Sequence, residues 1–146
     1  MIAEALVTYL HYLGFMVLFA ALVAQHLLFV SEASPQQVKR LFILDGLYGA
    51  AAILVLVTGL AKVFWVGKPA IFYAQNGLFH AKVTLFVIVA LLSIWPTLEF
   101  FKARRRSANL PPSALVQLPV NIRLIQRIEL LAVVLLPLLA VFMARA

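Results

Sequence analysis

The chain contains no cysteine, and that absence excludes disulfides, iron–sulfur clusters, thiolate metal sites and a cysteine nucleophile. Charge is nearly as scarce: five Asp and Glu stand against twelve Lys and Arg, and charged residues make up only 12% of the 146. A soluble globule of this length could not cover its surface with so few polar groups, so a cytosolic enzyme and a disordered tail are both excluded. There is no Walker sequence, no G-x-S-x-G and no H-E-x-x-H, which weakens any hydrolase or ATPase assignment. The candidate metal ligands are three His, three Met and the few acids. For bare copper that is a thin set.

What is present is apolar. Hydrophobic side chains are 65% of the chain and the mean hydropathy is +1.07, against about 45–50% apolar in soluble domains. Four runs reach the roughly 20 residues that a helix needs to cross hydrocarbon. The sequence thus predicts an all-α, integral membrane four-helix bundle in one domain over 1–146. Its spans run from about Leu6 to Val30, Leu41 to Val66, Leu78 to Phe100 and Leu124 to Met143. The start, Met1-Ile2-Ala3-Glu4, has no basic leader segment, so the first span is expected to remain in the protein.

Short signals punctuate the spans. Ser34-Pro35-Gln36-Gln37 has the form of a capped helix start. Gly67-Lys68-Pro69 and Asn76-Gly77 mark a turn region between the second and third spans. The longest connection, about Lys102 to Arg123, is expected in water or at the interface. Gly46, Gly49 and Ala50-Ala51-Ala52 offer small side chains for close helix approach, or room for a flat cofactor. Pro96 and Pro137 are expected to kink their helices.

A net charge of +7 would suggest nucleic acid in a soluble protein. Here the cations flank spans, where they set topology and face anionic lipid. Lys39, Arg40, Lys102, Arg104, Arg105, Arg106, Arg123 and Arg127 lie on one side, against Lys62, Lys68, Lys82 and Arg145 on the other. Eight against four predicts both termini outside (N-out, C-out) in a plasma, or inner, membrane. Trp65, Phe72 and Tyr73 on one side, and Trp95, Phe100 and Phe101 on the other, fit aromatic belts.

Ionisable residues within spans are costly and therefore informative. They form two layers. The outer one has His11, Lys62, His80 and Lys82; the inner one has His26, Asp45, Arg127 and Glu129, with Glu99 at its margin. His11 and His80 sit at comparable depth on helices of the same direction. That suits axial ligation of a haem b iron, with Lys62 or Lys82 pairing its propionates. The plain alternative is an interfacial histidine bonded to water or a carbonyl. Helical phase leaves the question open, because His80 and Lys82 point roughly 200° apart and cannot both face the centre. For Asp45 and Glu129 the structural expectation is a latch with His26, Tyr48 or Arg127, ahead of proton transfer.

Almost the whole chain resembles a family of small bacterial membrane proteins known only as a domain of unknown function. The resemblance lies in Tyr9-Leu10-His11, in Leu41 to Gly59 with its Asp45-Gly46-Leu47-Tyr48-Gly49 element, and in Phe79-His80-Ala81-Lys82 running on to Leu92-Ser93-Ile94-Trp95-Pro96-Thr97. More distantly, it is similar to CopD-type membrane domains and, through Leu10-His11, Arg40-Leu41 and His80-Ala81-Lys82, to HemJ-type protoporphyrinogen oxidases. The HemJ resemblance implies haem b and functional roles for His11 and Lys82, with His80 an added ligand. The chain departs from that group at Gln25-His26-Leu27-Leu28, in its fourth span and in lacking a tryptophan-rich first helix. The functional expectation is haem-based redox or porphyrin-related chemistry in the outer half of the bundle. The alternative is a non-enzymatic membrane subunit or assembly factor. Lipid, further copies of the chain and a membrane redox protein are the partner classes implied.

Overall fold

A computed structural model describes residues 1–146. The order is α1 (Ile2–Leu28), β1 (Glu32–Ala33), α2 (Pro35–Ala61), a π-helical turn (Lys62–Val66), α3 (Ala70–Ala74), α4 (Gly77–Ser107), β2 (Val116–Gln117) and α5 (Asn121–Arg145). Four helices are long and apolar enough to cross a membrane: α1, α2 with its π turn, α4 and α5. The anticipated all-α four-helix bundle is what forms. The helices overrun the expected spans chiefly at the end opposite the termini, where α2 starts at Pro35 and α4 continues to Ser107.

Packing follows from spacing. Along α5 the buried positions Ile122, Gln126, Glu129, Val133 and Leu136 alternate steps of four and three. Along α2, Val38, Leu41, Asp45 and Tyr48 do the same. A stripe averaging about 3.5 residues keeps one narrow face toward the neighbouring helices of an antiparallel bundle. The helices form a ring in the order α1, α2, α4, α5, closed by α5 against α1. The opposite faces expose Leu27, Leu56, Leu91 and Leu131, as lipid requires. Both α4 and α5 run unbroken through Pro96 and Pro137.

The capping box at Ser34 forms as read. Ser34 Oγ accepts from the Gln37 amide at 3.3 Å, and Gln37 Oε1 accepts from the Ser34 amide at 2.9 Å. The long connection, expected in water or at the interface, is mostly exposed over its first half and buries Val116 and Leu118 at the bundle end. Glu32–Ala33 and Val116–Gln117 pair as a short antiparallel ribbon, and Val116 and Leu118 join a core with Phe29, Val38, Leu41, Phe100 and Ile122. Burying these side chains draws the loop back across the bundle end. Arg123 donates to the Phe29 carbonyl at 3.2 Å and Arg106 to that of Gln117 at 3.1 Å. Phe100 is therefore fully buried and not part of an aromatic belt, whereas Trp65 and Phe101 are exposed as a belt needs.

The small-residue patch also behaves differently. A Cβ at Gly46 or Gly49 would meet nothing within 4 Å, so no helix approaches closely there. The close approaches are at Gly14, where it would stand 3.1 Å from Val55, and at Gly59, 3.3 Å from His11. At Gly67 it would collide with the Lys62 carbonyl and the Tyr73 hydroxyl, so glycine is what lets the chain leave the π turn. Tyr73, expected in a belt, is instead buried and accepts from the Lys68 amide at 3.3 Å.

Candidate functional site

The ring of helices brings the membrane-depth polar residues into two layers about 20 Å apart along the axis, the distance from Thr58 to Asp45 on α2. The first lies at the end bearing both termini. There His11 Nδ1 is 2.9 Å from Thr58 Oγ1. The single Thr58 hydroxyl proton is directed at the Leu54 carbonyl, 2.6 Å away, with that of Val55 at 3.2 Å. Thr58 must therefore accept from His11, which places the imidazole proton on Nδ1 and leaves the Nε2 lone pair uncommitted. Gly59 makes room for the ring.

Lys62 and Lys82 both lie within electrostatic range of His11 and of each other. Neither ammonium has a carboxylate within 4 Å; Lys102–Glu99 is the molecule's ion pair. Lys62 lies over the Tyr12 ring, 5.7 Å from its centroid, on the π-helical turn. The phase of α4 is now decided. Lys82 is half-buried on the stripe of Phe86, Val89 and Ser93, whereas His80 and Thr84 are exposed. The Nε2 of His80 is 2.8 Å from the Ala74 carbonyl. Of the four expected site residues, three converge and His80 stands apart. No three His, Asp or Glu side chains gather as a metal would require.

The second layer is acidic and more deeply enclosed. Asp45, Glu129, Gln25, Gln126 and Tyr48 are all buried. Thr97 donates to Asp45 Oδ1 at 3.1 Å and Gln126 Nε2 to Gln25 Oε1 at 3.4 Å, tying α4 to α2 and α5 to α1. Arg127, an expected partner, is exposed and pairs with neither acid. A single-residue step of about 100° turns Arg127 away from the stripe that buries Gln126. Gln25, Thr58, Thr97 and Gln126 were not anticipated as site residues. The available signal was register: Thr58 continues the buried stripe of α2 through Tyr48, Ala51 and Val55, and Gln126 stands one turn before Glu129.

Between the layers is a cavity of about 70 Å³, lined by Phe15, Tyr48, Gly49, Phe86, Ser93 and Thr97 among others. Ligand pockets typically enclose about 300–1,000 Å³, so a porphyrin does not fit inside the bundle. His11 is not among the lining residues.

Four spans, a polar axis and apolar flanks accord with the sequence profile of "Predicted membrane protein (DUF2214)", which matches residues 3–146. The chain belongs to the DUF2214 family. No curated protein and no solved structure matches it. A DUF2214 chain is thus a multi-pass membrane protein that contacts lipid.

Proposed function

We propose that this DUF2214 protein binds an anionic, membrane-soluble ligand through His11, Lys62 and Lys82, with haem b the ligand that best suits the donor set. What carries the reading is His11, whose Nδ1–H is committed to Thr58 so that Nε2 is presented as a lone pair. An oxygen partner on the far nitrogen is how proteins orient a metal-ligating imidazole. Two ammonium groups with no carboxylate within 4 Å stand beside it, Glu4 acting on Lys62 only from farther away, and they suit carboxylates such as propionates. The small internal cavity requires any macrocycle to lie at the lipid-facing rim. With His80 turned to the Ala74 carbonyl, His11 is the single protein ligand in this arrangement. Bound haem would supply one-electron chemistry; the protein supplies ligation, counter-charge and exclusion of water. We assign this layer to the outer leaflet of the plasma membrane on the distribution of Lys and Arg.

The test is the absorption spectrum of detergent-solubilised protein titrated with haem. A Soret band is expected, abolished in His11→Ala. Lys82→Gln should weaken affinity about tenfold, as loss of one hydrogen bond to a charged group implies. Absence of the band after supplementation overturns the reading.

A non-enzymatic subunit is the second reading, favoured by the hydrogen bonds Asp45–Thr97 and Gln25–Gln126 across the bundle. Under it His11→Ala and Lys82→Ala act only as packing mutants.

A further inference from the structure

The acidic layer has a charge problem that its own hydrogen bonds do not solve. Asp45 is 7% exposed and Glu129 2% exposed, on α2 and α5, and each lies within electrostatic range of the other. Neither has a Lys, Arg or His nitrogen within 4 Å. Two bare carboxylates at membrane depth without a counter-charge are strongly disfavoured.

The orphaned atoms point to what is missing. Glu129 Oε1 and Gln126 Oε1 have no partner, nor do Gln25 Nε2 and His26 Nδ1. Gln25 and Gln126 are 2% and 0% exposed, so water outside the bundle does not satisfy them. Gln126 and Glu129 are three apart on α5 and share a face. A proton on Glu129 Oε1 turns that orphaned acceptor into a donor within a layer that holds a second orphaned acceptor, Gln126 Oε1. One proton thereby removes one of the two like charges.

We propose that Glu129, with Asp45 as its acidic neighbour, is an exchangeable proton-binding site. The titratable groups beside it are Asp45 and Tyr48 from α2; from α4 the uncharged Thr97 reaches Asp45, from α1 the uncharged Gln25 reaches Gln126, and Arg127 on α5 itself is exposed. Tyr48 stands beside the Glu129 carboxyl and also lines the cavity with Ser93 and Thr97. That cavity has room for a few waters; its lining is mostly apolar, and Tyr48, Ser93 and Thr97 supply its polar groups. The proposal is independent of what binds at His11.

Dicyclohexylcarbodiimide tests it, because this apolar reagent adds to a protonated carboxyl, whose proton moves to a reagent nitrogen as the carboxyl oxygen bonds its central carbon. Intact-mass and peptide analysis of the full chain in detergent should show one adduct, on Glu129. It should fall as pH rises, be indifferent to sodium and be absent in Glu129→Gln. In Asp45→Asn the loss should begin at lower pH, since the neighbouring negative charge that favours protonation is gone. A second readout needs no reagent: the carboxylic C=O stretching band, present in wild type and lost in Glu129→Gln, with an unchanged helical circular dichroism spectrum showing that the variant is folded. No adduct and no carboxylic band, or an adduct suppressed by sodium but not by pH, overturns the proposal.

Discussion

At the scale of single residues, Thr58 decides what His11 can do. Its hydroxyl proton goes to the Leu54 carbonyl, so its oxygen accepts the Nδ1 proton of the imidazole. Thr58→Val keeps the shape and removes the acceptor, leaving a half-buried N–H unpaired at a cost of about 1–3 kcal/mol. A fall in thermal midpoint in detergent is expected. Where haem binds, a weaker Soret titration should accompany it, because the ring is no longer held in one tautomer. An unchanged midpoint and an unchanged titration would remove Thr58 from the site. Lys82 illustrates what one sequence leaves undecided: its helical phase relative to His80 was plain, but which of the two faced inward depended on how α4 rolls against α2 and α5.

At the scale of elements, glycine and capping residues carry the clearest expectations. A Cβ at Gly14 would meet side-chain carbons of Val55 and Leu54 on α2, at 3.1 and 3.3 Å. Gly14→Ala should be accommodated by a shift of a few tenths of an ångström, while Gly14→Leu overpacks the α1–α2 contact and should cost about 1–3 kcal/mol. Thermal scans of the two variants check the difference. Ser34→Ala breaks the capping box and should cost about 1 kcal/mol, read in the same assay. The start of α2 was legible because a capping box is a local pattern of side chain and backbone. The β1–β2 ribbon was not, since Glu32 and Gln117 are 85 residues apart and neither segment has a strand-like period of its own. Gly46 and Gly49 misled for a related reason: small residues permit close approach but do not supply a neighbouring helix.

For the whole molecule, the distribution of basic residues makes a topological prediction. The Lys102, Arg104, Arg105 and Arg106 cluster closes α4 at the end opposite the termini, near Lys39 and Arg40. A reporter active only outside the cytoplasm, fused after Ala146, should therefore be active, and one inserted at Pro111 inactive. The reverse pattern would invert the bundle and put the His11 layer on the cytoplasmic side. The Pro111 site lies in an exposed stretch of the connection, outside the ribbon, so the insertion should not disturb packing.

Composition and run length alone determined that lipid is the solvent and that four helices cross it, because the hydrophobic requirement of a span is a property of each segment by itself. They also marked the ionisable residues worth explaining, since every such group at that depth stands out against hydrocarbon. Tertiary structure alone decided their company: His11 with Thr58 and the two lysines, His80 outside, and Glu129 enclosed with Asp45 and two glutamines in place of Arg127. Those choices depend on the rotation and axial register of each helix against its neighbours, which packing across the bundle fixes and no single segment encodes.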